Sequence, residues 1–415
     1  MAVSLDSLAN SFFSYYWQRY QKGKFMIEEK EFERRKSNVI NILKQNNLKA
    51  ALIYYDELNI GNGWYLSGWC PQFESGSILI TDSGYTAILG GPESEPFAKM
   101  DSTIKETKNI PVFMVPDEEY PYAKITNFKE VFAEIFGEQK IDRVGVVGMD
   151  SVPYGVYMRL INDLGNITLI DITNQYEKLR VIKSDYEIDL IRKSFEICDE
   201  AFKELLVNVK EDVAEVYLAG IAEGKMRTLG ANWFGFKAIV AAEERSNGVV
   251  PTATERRLKN GEMVLLGISP RYQGYAAAAG YSTVVGGSPS REQKDFLKML
   301  SEAYLISREM LKPGMVGKEN YKKIKKYFAD KGGYERYIVC PFVHTVGLHE
   351  AESPFFGPNS NDELKPNMTV CIDVSLWGHP KLNGGRVETG FVITESGYEP
   401  FSPYMDKLIE DLSNI

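Results

Sequence analysis

The chain has 415 residues, too many for one ordinary hydrophobic core, so its length favours two or more domains. With 44% hydrophobic and 25% charged residues it falls in the globular class, which excludes a disordered or fibrous chain. A formal charge of −9 without clustered Lys and Arg excludes a nucleic-acid footprint and suits a small cationic or zwitterionic partner.

The chain opens on an aromatic stretch, SLANSFFSYYWQRYQKGKF, with Phe12, Phe13, Tyr15, Tyr16, Trp17 and Tyr20. Residues 1–27 read as an arm that docks on its own domain or on a second subunit rather than on a membrane. No apolar stretch nears the roughly 20 residues that cross a bilayer, and no signal-peptide pattern opens the chain, so no membrane partner is expected. From Glu28 to Asn47 the spacing predicts a helix, and AALIYY at Ala50–Tyr55 is an apolar run of strand length. SILITDSGYTAIL, Ser77 to Leu89, is two apolar runs around Asp82-Ser83-Gly84, which is hairpin chemistry. Further strands are predicted at Val144–Val147 and Ile167–Ile172, with helices between them. The alternation makes residues 28–174 an α/β domain.

The character changes at KLRVIKS, Lys178 to Ser184, and a second domain begins between Thr173 and Lys183, taken here from residue 175 to residue 415. Ser184 to Glu187, SDYE, has capping-box spacing and opens a long helix whose apolar face carries Ile188, Ile191, Phe195, Cys198, Phe202 and Leu205. Two more amphipathic helices are predicted at Arg291–Leu311 and Lys318–Lys331. Strands are predicted at Met263–Ser269, Arg271–Val285, Thr369–Leu376 and Arg386–Thr394. Long helices on a curved, mostly antiparallel sheet make this domain α+β. Cys70, Cys198, Cys340 and Cys371 form no CxxC pair and read as reduced thiols of a cytoplasmic protein.

Only three histidines occur, and His344 and His349 lie close together in VHTVGLHEAESP. Histidine is both the commonest metal ligand and the usual proton carrier near neutral pH. VCIDVSLW buries Asp373 in an apolar strand, and GGRVETGFVI does the same for Glu388. A buried carboxylate is costly unless paired or metal-bound, so two acids delivered toward one histidine suggest a site. His379, in WGHPKLNGG, reads as a loop residue.

The order of LRVIKSDYEIDLIRKSFEICDEAF, GEMVLLGISPRYQGY, FVHTVGLHEAESP, LKPNMTVCIDVSLW and GGRVETGFVITESGYE resembles the pita-bread family of creatinase, prolidase and aminopeptidase P. The resemblance runs from about Glu29 to Pro403. It implies a creatinase-like N-terminal domain, a pita-bread catalytic-type domain and a homodimer. Peptidase members carry five metal ligands, and by position these fall on Gly267, Ala278, His344, Asp373 and Glu388. Neither Gly267 nor Ala278 has a side-chain oxygen, so the resemblance implies no dinuclear centre. The cofactor is then none, or a single divalent ion held by His344, Asp373 and Glu388. Creatinase shares the fold without metal, yet its substrate-side histidine falls on Val250 here. Counting on from His344, the family's second His-Glu pair falls on Ala351 and Glu352; a two-residue deletion would place it on His349 and Glu350. The ungapped count is preferred for Glu352.

The reading is a hydrolase acting on a C–N bond of a small polar, cationic substrate. His344, His349 and Glu352 are the catalytic candidates, and Asp373, Glu388, Trp233 and Phe236 the substrate-binding ones. Two alternatives stand beside it: an Xaa-Pro metallopeptidase with unusual ligands, and a pseudoenzyme that binds a ligand without converting it.

Overall fold

The computed structural model describes residues 29–415 apart from Phe73, Glu118, Asn166 and Cys340. The aromatic arm expected over residues 1–27 lies outside the described residues. The chain divides into two compact units, residues 1–173 and 174–415.

In the first unit, helix α1 (Glu29–Gln45) precedes β1 (Ala50–Tyr55), α2 (Ile60–Ser67), β2 (Gly76–Thr81), β3 (Thr86–Gly90), α3 (Glu95–Asp101), β4 (Thr107–Asn109), α4 (Phe128–Phe136), β5 (Arg143–Val147), α5 (Tyr154–Leu164) and β6 (Thr168–Asp171). The strands form one mixed sheet in the order β4-β3-β2-β1-β5-β6. Every residue of β1 is buried, as an unbroken apolar run in a sheet covered on both faces must be. β2 and β3 make the hairpin predicted around Asp82-Ser83-Gly84, with Ser77 opposite Leu89. Ala50, Leu52 and Tyr54, alternate residues of β1, pack with Phe128, Val131 and Phe132 of α4 and Val156 and Leu160 of α5.

The second unit contains α6 (Thr173–Lys178), α7 (Asp185–Asn208), α8 (Glu215–Thr228), β7 (Trp233–Ala242), β8 (Met263–Tyr272), β9 (Tyr275–Ala276), β10 (Ala279–Val284), α9 (Arg291–Glu309), α10 (Gly317–Asp330), β11 (Val343–Thr345), β12 (Glu352–Phe355), β13 (Thr369–His379), β14 (Asn383–Ile393), β15 (Tyr398–Pro400) and α11 (Pro403–Asp411). Its sheet runs β12-β11-β13-β14-β10-β8-β7, with β15 on β14 and β9 on β8. Every strand pairing in it is antiparallel among the described residues. The Ser184 capping box forms, with Ser184 accepting from the Glu187 amide and Glu187 accepting from the Ser184 amide. All six apolar positions predicted for the inner face of α7 are buried. Phe195 lies so close to β14 that a Cβ at Gly390 would stand 2.2 Å from its ring, which restricts that position to glycine.

One boundary differs from expectation. Arg271 and Tyr272 continue β8 rather than opening a new strand, and Gln273 and Gly274, with φ of 48° and 82°, form the turn into β9. Two consecutive positive φ values match the twist of a tight hairpin. Ala277 and Ala278 then interrupt the pairing before β10 begins at Ala279, and the alanine stretch Ala276, Ala277, Ala278 and Ala279 is fully buried. No helix among the described residues is long and apolar enough to cross a membrane.

Candidate functional site

Cross-strand register builds the site. Asp373 on β13 stands opposite Glu388 on β14, Glu388 opposite Gly280 on β10, Gly280 opposite Gly267 on β8, and Gly267 opposite Ile239 on β7. Directly opposed residues share a face, so one row across five strands is acidic at one end and bare in the middle. Beside it, His344 on β11 stands opposite Cys371, two residues before Asp373 and hence on the same face. A ring nitrogen of His344, the Sγ of Cys371 and a carboxylate oxygen of Glu388 all lie within 4.8 Å of one another, and all three residues are buried.

His344 Nδ1 lies 3.1 Å from the Thr345 carbonyl oxygen, and Nε2 lies 3.3 Å from Glu388 Oε1. A carbonyl can only accept, so Nδ1 carries hydrogen and a neutral ring would aim its Nε2 lone pair at a carboxylate. A cation is needed between them. Burial alone would lower the His344 pKa, but the hydrogen bond and charge of Glu388, with Glu350 and Asp373 nearby, raise it to about 9.

Asp373 is held by the chain itself. Its Oδ1 lies 3.2 Å from Arg386 Nε and accepts from the Ser375 hydroxyl, to which Arg386 Nε also reaches at 3.2 Å. Burial and the Glu388 charge nevertheless outweigh Arg386 and hold the Asp373 carboxyl above the ordinary range. Glu350 joins this group: burial raises its pKa, with Glu388 and Asp373 acting the same way against His344 and Arg386.

Glu352 belongs to a different cluster. Its carboxylate lies 3.2 Å from Lys183 Nζ and 3.4 Å from Arg180 Nε, both buried. Burial would raise its pKa, but Lys183, Arg180 and His349 hold it below the ordinary range. The His349 imidazole is part of this cluster, and burial plus the charges of Arg180 and Arg271 lower its pKa to about 3.

The structure therefore brings His344, Asp373 and Glu388 together and places His349 and Glu352 around Lys183 and Arg180. Phe236 lies beside Gly267 in the bare middle of the row, where a Cβ would meet its ring at 3.6 Å. Cross-strand register instead sets Trp233, the first residue of β7, opposite Arg271, with the Arg227 guanidinium 5.8 Å from its ring centre. His379 stacks on Tyr334 at 5.4 Å between ring centres. All three acids have a basic partner within the chain: Asp373 faces Arg386, Glu388 faces His344, and Glu352 faces Lys183 and Arg180. Sequence reasoning passed over Cys371 and set Glu350 aside. The i, i+2 spacing of Cys371 from Asp373 and the gapped reading of the His-Glu pair were the signals available.

A dinuclear metal centre does not fit these residues. Gly267 and Ala278 offer no side-chain oxygen, and the space at the glycines is filled. A Cβ at Gly267 would meet Ile239 at 3.2 Å, and one at Gly280 would lie 2.6 Å from the Arg386 stem. Asp373, occupied by Arg386, is outside the set of converging donor atoms.

Comparison with known proteins accords with this architecture. The Creatinase/Prolidase N-terminal domain model matches residues 35–182, and the Metallopeptidase family M24 model matches residues 189–395. The uncharacterized peptidase YqhT of Bacillus subtilis is 32% identical over 264 residues, covering 64% of this chain and 73% of that protein. An Xaa-Pro dipeptidase of Pyrococcus horikoshii is 29% identical over 359 residues, covering 86% of this chain and 94% of its own. The crystal structure of the prolidase from Pyrococcus horikoshii OT3 superposes with a TM-score of 0.76 at 25% identity, covering 89% of this chain and 98% of that one. With a family-type N-terminal domain, a pita-bread sheet and these relatives, the chain belongs to metallopeptidase family M24, the family of creatinase, prolidase and aminopeptidase P.

Proposed function

We propose that this chain hydrolyses a C–N bond of a small polar substrate at the His344, Glu350 and Glu388 cluster, without a pair of metal ions. The observation that carries the reading is the refilled middle of the cross-strand row, where Ile239, Phe236 and Arg386 occupy the space beside Gly267 and Gly280. Glu350, whose pKa burial raises above the ordinary carboxylate range, is suited to take up and return a proton. It accepts a proton from water as the water oxygen bonds to the substrate carbon, and returns that proton to the nitrogen as the C–N bond breaks. A cation between His344 Nε2 and Glu388, either a proton or a single metal ion, stabilises negative charge developing on the substrate. His349 and Glu352, committed to the Lys183 and Arg180 cluster, position the segment that carries Glu350. Phe236 forms an apolar wall.

The charges favour the substrate class expected from sequence. Glu350, Asp373 and Glu388 face Arg386 and protonated His344, which leaves room for one further positive charge when all three acids are ionised. A homodimer in the cytoplasm belongs to the same reading, supported by the family resemblance and by free thiols at Cys198 and Cys371.

The test is amine release from a panel of Xaa-Pro dipeptides, N-acyl amino acids and guanidino acids, with the metal content of the same sample measured. Turnover with no more than one ion per chain, lowered about 100- to 10,000-fold in Glu350→Gln, is the expected result. A strict requirement for two ions per chain would favour the dinuclear peptidase alternative and overturn the reading. Tight binding of a panel member without its conversion would overturn it in favour of a pseudoenzyme.

A further inference from the structure

We infer that His344 Nε2, Cys371 Sγ and the Glu388 carboxylate form a mononuclear site for one thiophilic divalent ion such as Zn2+, a donor set different from the five oxygen and nitrogen ligands of the family's peptidases. The inference concerns the site of the proposed hydrolysis, but it stands on donor geometry and does not require turnover.

The three donor atoms lie within 4.8 Å of one another. They come from three hydrogen-bonded neighbours, β11, β13 and β14, so the sheet fixes their spacing before any ion arrives. The Thr345 carbonyl holds Nδ1 of His344 at 3.1 Å, which fixes the tautomer and turns the Nε2 lone pair inward, as the outer partner of a ligating histidine does. Glu388 Oε1 faces that lone pair at 3.3 Å, so an ion between them would satisfy both.

Cys371 supplies what the alanine stretch withholds. Its Sγ lies 3.9 Å from the Ala278 carbonyl oxygen, so sulfur stands beside the position where the resemblance places a carboxylate. The oxygen donors are also reduced on the other side, because Arg386 and Ser375 engage Asp373. What remains is one nitrogen, one sulfur and one carboxylate, with a fourth position open. That is a tetrahedral pattern for a catalytic-type Zn2+ site, and the thiolate discriminates against Mg2+, Ca2+ and Mn2+.

The full chain, stripped with chelator and reloaded, gives a test that needs no substrate. Loading with Co2+ is expected to give one ion per chain and a near-ultraviolet thiolate-to-cobalt charge-transfer band. Cys371→Ser is expected to lose that band and to bind Zn2+ at least about tenfold more weakly. Cys198→Ser, which removes another buried thiol, is expected to keep both properties. Cadmium NMR of the unaltered chain, with a shift reporting one sulfur ligand, gives the same answer even if Cys371→Ser fails to fold. A chain that retains no ion, that binds two, or whose cobalt spectrum survives Cys371→Ser overturns the assignment. Hydrolysis by an ion-free chain would sink this site and leave the proposed function standing; one bound ion without hydrolysis would do the reverse.

Discussion

The cluster around Glu352 and the cluster around Glu388 are built from the same residue types yet hold their acids in opposite states. Glu352 is one carboxylate facing Lys183 and Arg180, and its pKa is lowered. Around Glu388, three carboxyls share Arg386 and His344, and the pKa values of Asp373 and Glu350 are raised. Burial penalises the charged form in both places. The ratio of cations to acids decides the outcome, so the first cluster is a fixed anchor and the second a place where a proton or another cation can be exchanged.

The sharpest way to break that comparison is Glu352→Gln. It leaves Lys183 and Arg180, both buried, without their carboxylate, and truncating one partner of a buried pair costs about 3–5 kcal/mol. A fall of roughly 10 °C in the unfolding midpoint is expected by calorimetry. A fall under about 2 °C would mean that Glu352 is not the anchor its distances describe.

Asp373→Asn should cost less, although Asp373 is also buried and paired. The variant loses the carboxylate charge that faces Arg386, but it also removes repulsion with Glu388, to which Asp373 stands directly opposite. A net loss of about 2 kcal/mol is expected in denaturant unfolding. A loss equal to that of Glu352→Gln would show that the acid-rich cluster is no more strained than the acid-poor one.

The two clusters also differ in how far sequence reveals them. Gly267, His344, Asp373 and Glu388 are readable because each sits at a motif position on a strand whose period-two pattern sets its face. Lys183 and Glu352 are 169 positions apart, and no local pattern joins them. Arg386 is visible as a charge inside a strand, but its pairing with Asp373 depends on the register that sets Ser375 opposite Arg386. Cys371 reads from sequence as a reduced thiol because it belongs to no CxxC pair; only the placement of His344 opposite it shows that its sulfur joins the site face. The helices were the most legible elements, since the caps at Ser184 and Ser290 and the apolar spacing act within one segment.

Asp199 extends the comparison to an acid whose hydrogen-bond partner is a hydroxyl. It accepts from Ser402, the residue that caps α11, and burial outweighs that bond and the charge of Lys203 to raise its pKa to about 6. The folded pKa lies above the unfolded value of 3.8, so the fold favours the neutral acid. Below pH 3.8 both states are protonated and no penalty applies. The penalty grows as pH rises toward 6 and is complete above it. Asp199→Asn keeps an oxygen to accept from Ser402 and removes the charge. It should therefore stabilise the protein by about 1 kcal/mol at pH 8, after allowance for solvent screening, and by nothing measurable near pH 3.5. Midpoints measured across that range should separate between pH 4 and 6. Equal midpoints at pH 8 would show that Ser402 compensates the charge in full, and burial would then not be what distinguishes a raised acid from a lowered one in this protein.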